Sequence, residues 1–169
     1  MNIALRYGLI YSGINILFSL IMFVTDLNRA GLDWLNSLIG LIIPVVCIYL
    51  AVKEYKAGVE GGYMKFSEVF KKGILICLVG GVIVAGYLVL YTSVIDPDLM
   101  DFMMQQQVEK MQEQGMSEDM IEMAINQSAR FQTPFWMFTW GLMGSLIMGA
   151  IVSLVMAAIL KKNNPDVFA

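Results

Sequence analysis

The sequence predicts an all-α protein, an integral membrane bundle of four transmembrane helices with an extramembrane acidic helical hairpin between helices 3 and 4. Three observations carry this. The 169 residues are 58% apolar and 15% charged, with a mean hydropathy of +0.69, whereas soluble domains run about 45–50% apolar and about 25% charged. Four stretches, Tyr7–Val24, Trp34–Val52, Gly73–Ile95 and Phe131–Leu160, hold no Asp, Glu, Lys or Arg. A hydrocarbon layer about 30 Å thick takes roughly 20 helical residues to cross. Between the last two stretches, segment 96–133 gathers eight carboxylates and two cations.

The spans fall at about 7–24, 34–52, 73–95 and 135–160, with the hairpin at about 97–131, in one membrane domain over 1–169. The first span starts after Arg6 and ends in Phe23-Val24-Thr25-Asp26. It lacks the small-residue site of a cleaved signal and is expected to stay as the first helix. Eight of the eleven cations, Arg6, Lys53, Lys56, Lys65, Lys71, Lys72, Lys161 and Lys162, lie at the N-terminus, in the second connection or in the tail. Arg29, Lys110 and Arg130 are the other three. Basic loops stay inside, so both termini and 53–72 are expected in the cytoplasm and 96–133 outside.

In the second connection, Tyr63, Phe66 and Phe70 recur at helical spacing between lysines. This pattern predicts a short interfacial helix facing anionic lipid. Gly61-Gly62 lacks the spacing and the Gly-Lys-Ser/Thr of a phosphate loop. In the hairpin, Asp96-Pro97 reads as an N-cap with proline in the first turn, and Gly115 as the stop after Gln114. Met100, Met104, Val108 and Met111 form one apolar stripe. Ser117 caps a second helix, whose weaker stripe is Ile121, Ala124, Ile125 and Ser128.

Seven of the fourteen methionines lie in this segment. Thioethers bind soft Cu(I), but no His or Cys accompanies them, and they read as adaptable packing residues. The segment's net −6 fits a solvated face that sets topology; its sharper reading is a docking surface for a basic partner.

Small residues recur every fourth position at Gly141, Ser145, Gly149, Ser153 and Ala157 on span four, and at Gly73, Cys77, Gly81 and Ala85 on span three. Shorter runs are Gly40, Pro44, Cys47 and Ala51 on span two, and Gly8 and Ser12 on span one. Such faces let membrane helices approach closely, either within one chain or between two. Ser12, Asn15 and Pro44 are the candidate polar path, although a lone amide more often bonds a neighbouring helix. Cys47 and Cys77 read as packing residues in a reducing setting. Trp34, Phe135, Trp136, Phe138 and Trp140 form an aromatic belt.

The chain has no histidine, which excludes imidazole catalysis, histidine metal sites and imidazole switches. It is not a basic nucleic-acid binder. No ionisable group lies deep in a span, where proton relays and ion-coupled carriers keep one. No catalytic, cofactor-binding or metal-binding residue is nominated and no cofactor is expected.

Several runs together resemble a known family. They are Gly61-Gly62-Tyr63…Phe66…Phe70…Gly73, Ile95-Asp96-Pro97, Met116-Ser117…Ile121-Glu122, and the last span ending Ala158-Ile159-Leu160-Lys161-Lys162. The chain resembles a family of small bacterial inner-membrane proteins, domain of unknown function 4199, over nearly its whole length. The resemblance implies a four-helix protein of the bacterial inner membrane with no assigned activity. The expected function is a non-enzymatic structural or accessory subunit. Its partners are the lipid bilayer and a second copy or another membrane protein. The alternative is a small transporter or channel component.

Overall fold

A computed structural model describes residues 2–27, 34–59 and 62–162. Arg29, Glu60 and Gly61 lie outside the described residues. Within them the chain is helical: α1 (Ile3–Val24), α2 (Trp34–Ala57), α3 (Phe66–Leu90) with a π turn (Tyr91–Ile95), α4 (Leu99–Glu113), α5 (Glu118–Ala129) and α6 (Pro134–Leu160). There is no strand among the described residues, only a two-residue bridge from Met64 to Lys162. Four helices are long and apolar enough to cross a membrane: α1, α2, α3 with its π turn, and α6. The protein is a multi-pass membrane protein. Leu17, Ile21, Ile147, Ile151 and Leu154 are exposed along them, as a lipid-facing surface requires.

The helices run past the charge-free stretches. α2 continues through Lys53, Glu54 and Lys56, and α3 begins at Phe66 rather than Gly73. A charge does not end a helix, because Lys and Glu are good helix formers and long cationic stems reach water from an apolar flank. The interfacial helix expected around Tyr63, Phe66 and Phe70 is therefore not separate. Phe66 and Phe70 stack 6.3 Å apart in the first turns of α3 itself. The Lys65 N–H donates to Glu68 Oε2 at 2.8 Å, one half of a capping box.

Ends elsewhere follow local chemistry. Asn2 caps α1 by accepting from the Ala4 N–H at 3.1 Å. Pro134 takes the first position of α6, where its missing N–H has no partner to lose. The π turn closes with the Asp96 N–H donating to the Tyr91 carbonyl at 2.8 Å, just before Pro97, which has no N–H to carry the ladder on. α4 starts two residues later than Asp96-Pro97 predicts, with Asp98 at its N-cap. Past Gln114, the C-cap of α4, Gly115 turns the chain with φ +74. The Gly115 and Met116 N–H groups bond back to Gln112 and Met111 at 2.9 and 3.1 Å, the paired-bond C-cap that a left-handed residue makes.

The fold divides into two compact units, Met1–Val84 with Leu142–Ala169, and Ala85–Gly141. In the first, the core gathers Tyr11 of α1, Ile43, Cys47, Ile48, Ala51 and Val52 of α2, Val69, Ile76 and Cys77 of α3, and Val152, Met156 and Ala157 of α6. In the second, α4 packs on α5. α4 buries no residue fully and α5 buries only Ile121.

Gly115→Ala is expected to destabilise the α4–α5 turn by about 1–2 kcal/mol, because a Cβ opposes the left-handed conformation. Amide exchange should quicken at Met111–Ser117 and stay unchanged in α1.

Candidate functional site

Small residues hold α3 and α6 together face to face, each step of four on one helix meeting a step of four on the other. In the first unit, a Cβ placed at Gly73 would stand 2.8 Å from Ser153 Cβ. One at Gly81 would stand 2.9 Å from Ser145 Cβ, and one at Gly149 would stand 2.8 Å from Cys77 Sγ. These positions admit only glycine at this separation. In the second unit, Gly141 faces Ala85, with the two β positions 3.5 Å apart. Eight of the nine small residues singled out on spans three and four thus meet in four pairs, antiparallel, within one chain. The ninth, Ala157, is fully buried in the first unit's core.

The polar groups of this seam are few. Ser145 Oγ donates to the Cys77 carbonyl at 3.3 Å, the one hydrogen bond shown across the paired faces. Ser153 is fully buried and its hydroxyl has no hydrogen-bond partner. Cys47 and Cys77 are buried free thiols. α1 joins α3 by the same device, since a Cβ at Gly8 would stand 2.7 Å from Val79 Cβ. Next to Val79, Gly80 leaves room for the Tyr11 ring of α1.

At the end where α1 and α3 begin and α2 and α6 finish, charged groups tie the first unit. Arg6 pairs with Glu54, and the Tyr7 hydroxyl donates to the same carboxylate oxygen at 3.0 Å. Lys56 Nζ donates to the Leu160 carbonyl, satisfying an orphan acceptor at the end of α6. Met64 and Lys162 exchange backbone hydrogen bonds of 2.8 and 2.9 Å. Lys72 Nζ lies 3.9 Å from the centre of the Tyr55 ring, and Lys162 Nζ lies 5.1 Å from that of Tyr63. Periodicity alone gives none of these pairs, because they join residues as far apart as Lys56 and Leu160.

A cleft of about 340 Å³ lies in the first unit, lined by Tyr11 of α1, Ser37, Gly40 and Pro44 of α2, Cys77 of α3 and Ser145 of α6, among others. Of the candidate polar path, Pro44 alone lines it. Ser12 Oγ donates to the Leu9 carbonyl at 3.0 Å and Asn15 Nδ2 to the Tyr11 carbonyl at 2.9 Å. Both side chains donate to their own helix. No group of three or more His, Cys, Asp and Glu residues placed to hold a metal occurs among the described residues.

These features define an all-helical, four-span membrane protein whose interior is closed by small residues rather than by ionisable groups. The chain belongs to the family described as Protein of unknown function (DUF4199), which matches residues 6–162. No curated protein and no solved structure matches it.

Two pairs of substitutions test the seam. Gly149→Leu should cost about 1–3 kcal/mol by overpacking against Cys77. Gly144→Leu, where an added Cβ meets nothing within 4 Å, should change stability by less than about 0.5 kcal/mol. Ser145→Ala should lose about 0.6 kcal/mol, the usual worth of a hydrogen bond between membrane helices. Ser153→Ala should stabilise by about 1 kcal/mol, since it removes a buried hydroxyl without a partner. Unfolding in mixed micelles reads all four.

Proposed function

We propose that this protein is a non-enzymatic accessory subunit of the bacterial inner membrane, with both termini in the cytoplasm and the α4–α5 hairpin outside. The observation that carries the reading is the hairpin itself. Met103, Met120 and Met123 are 56%, 50% and 69% exposed, on helices that carry most of the segment's net charge of −6. Exposed methionines on a polar frame suit an adaptable contact surface, and the carboxylates favour a partner with a basic face.

The small-residue faces support the same division of labour. They meet one another within the chain, so self-association through Gly149 and Ser153 would compete with the chain's own packing. The distribution of cations supports the orientation, with eight of eleven near the end where α1 begins and α6 finishes. The transporter alternative rests on a polar path through Ser12, Asn15 and Pro44. The backbone bonds made by Ser12 and Asn15 weigh against it.

A photoreactive residue replacing Met123 is expected to yield one discrete stoichiometric adduct in native membranes. The same residue replacing Glu122, about 100° further round α5, should give a several-fold weaker one. Equal labelling from both positions, or none from either, would remove the hairpin as the contact surface.

A further inference from the structure

We propose that the cleft between α1, α2 and α6 binds a membrane-dissolved lipid that carries a hydroxyl on an apolar body. The argument starts at Pro44, inside the continuous helix α2. Proline has no N–H, so the carbonyl of Gly40, four residues earlier, loses its regular i+4 donor. A helical carbonyl points along the axis toward residue i+4, and Gly40 and Pro44 both line the cleft, so this orphan acceptor sits on the cleft wall. Gly40 has no side chain to cover it, and a Cβ built there would meet nothing within 4 Å. A carbonyl without a donor is costly in hydrocarbon, and a bound hydroxyl would supply that donor.

The rest of the lining narrows the donor's chemistry. Leu41 and Met148 line the cleft and are 44% and 40% exposed, so it opens on the lipid-facing side. Tyr11, Ser37 and Ser145 add hydroxyls that both donate and accept. No carboxylate, ammonium or guanidinium lines it, so a charged head has no counter-ion. Water alone does not suit a largely apolar space of about 340 Å³, since one water takes about 30 Å³ and needs two to four polar partners. A hydroxyl to meet Gly40 and a hydrocarbon body to fill the remainder satisfy both demands. That describes a long-chain or isoprenoid alcohol, and the two bodies are compared directly below.

The test measures saturable thermal stabilisation of the full chain in lipid nanodiscs by farnesol, oleyl alcohol and farnesyl methyl ether. Both alcohols should bind saturably, the tighter identifying the body. Farnesol should bind about 3- to 10-fold tighter than its ether, as one membrane hydrogen bond allows. Pro44→Ala restores an N–H to the Gly40 carbonyl, so binding should persist while the alcohol-to-ether ratio falls to about one. Gly40→Leu fills the cleft and should abolish stabilisation by all three probes. The proposal is overturned by no saturable stabilisation, by equal affinity for farnesol and its ether, by an undiminished ratio in Pro44→Ala, or by full binding to Gly40→Leu.

Discussion

The close approach of α3 and α6 is the constraint on which the rest of the structure depends. In lipid no hydrophobic force drives helices together, and association rests on contact between surfaces that fit. Glycine at positions 73, 81 and 149 removes the atoms that would hold the two backbones apart, and Ser153, Ser145 and Cys77 fill the vacated space. Among the described residues, one hydrogen bond, from Ser145 to the Cys77 carbonyl, joins the paired small-residue faces of the seam. Its strength is therefore dispersion over many small contacts, the kind of interaction most sensitive to an added methylene. Gly8 and Gly80 extend the same principle to α1, so α1 and α6 are both fitted against α3.

Several polar groups in the spans are handled locally. Ser12, Asn15, Thr92 and Thr139 donate to carbonyls three or four residues back on their own helices. Cations cluster at one end of the first unit, where Arg6, Lys56, Lys72 and Lys162 meet a carboxylate, a helix-end carbonyl and two aromatic rings. The Gly40 carbonyl, which Pro44 deprives of its regular N–H partner, escapes this local accounting, and both residues line the cleft.

The four spans were legible in the sequence because a membrane excludes charge, so long runs without Asp, Glu, Lys or Arg mark them directly. Their ends were less so. The same runs stop at Val52 and start at Gly73, while helical hydrogen bonding carries α2 to Ala57 and begins α3 at Phe66. Gly115 was readable as a stop because only glycine takes φ +74 freely. Asp96-Pro97 misplaced the next start by two residues, since the π turn uses the Asp96 N–H first. Periodicity of four exposed the small-residue faces but carries no information on which face meets which. The pairing of Gly73 with Ser153 and of Gly149 with Cys77 needs the three-dimensional register. The cleft was not legible at all, because Tyr11, Gly40 and Ser145 have no common spacing.

The most direct test of this account is a cysteine pair at Ala85 and Gly141, made in a chain with Cys47→Ala and Cys77→Ala. Their β positions lie 3.5 Å apart, within the separation a disulfide spans. Mild oxidation in native membranes should give a monomer locked by an intramolecular bond, visible as a shift on reduction and independent of expression level. Crosslinked dimers, or two thiols that stay free, would contradict a seam formed within one chain.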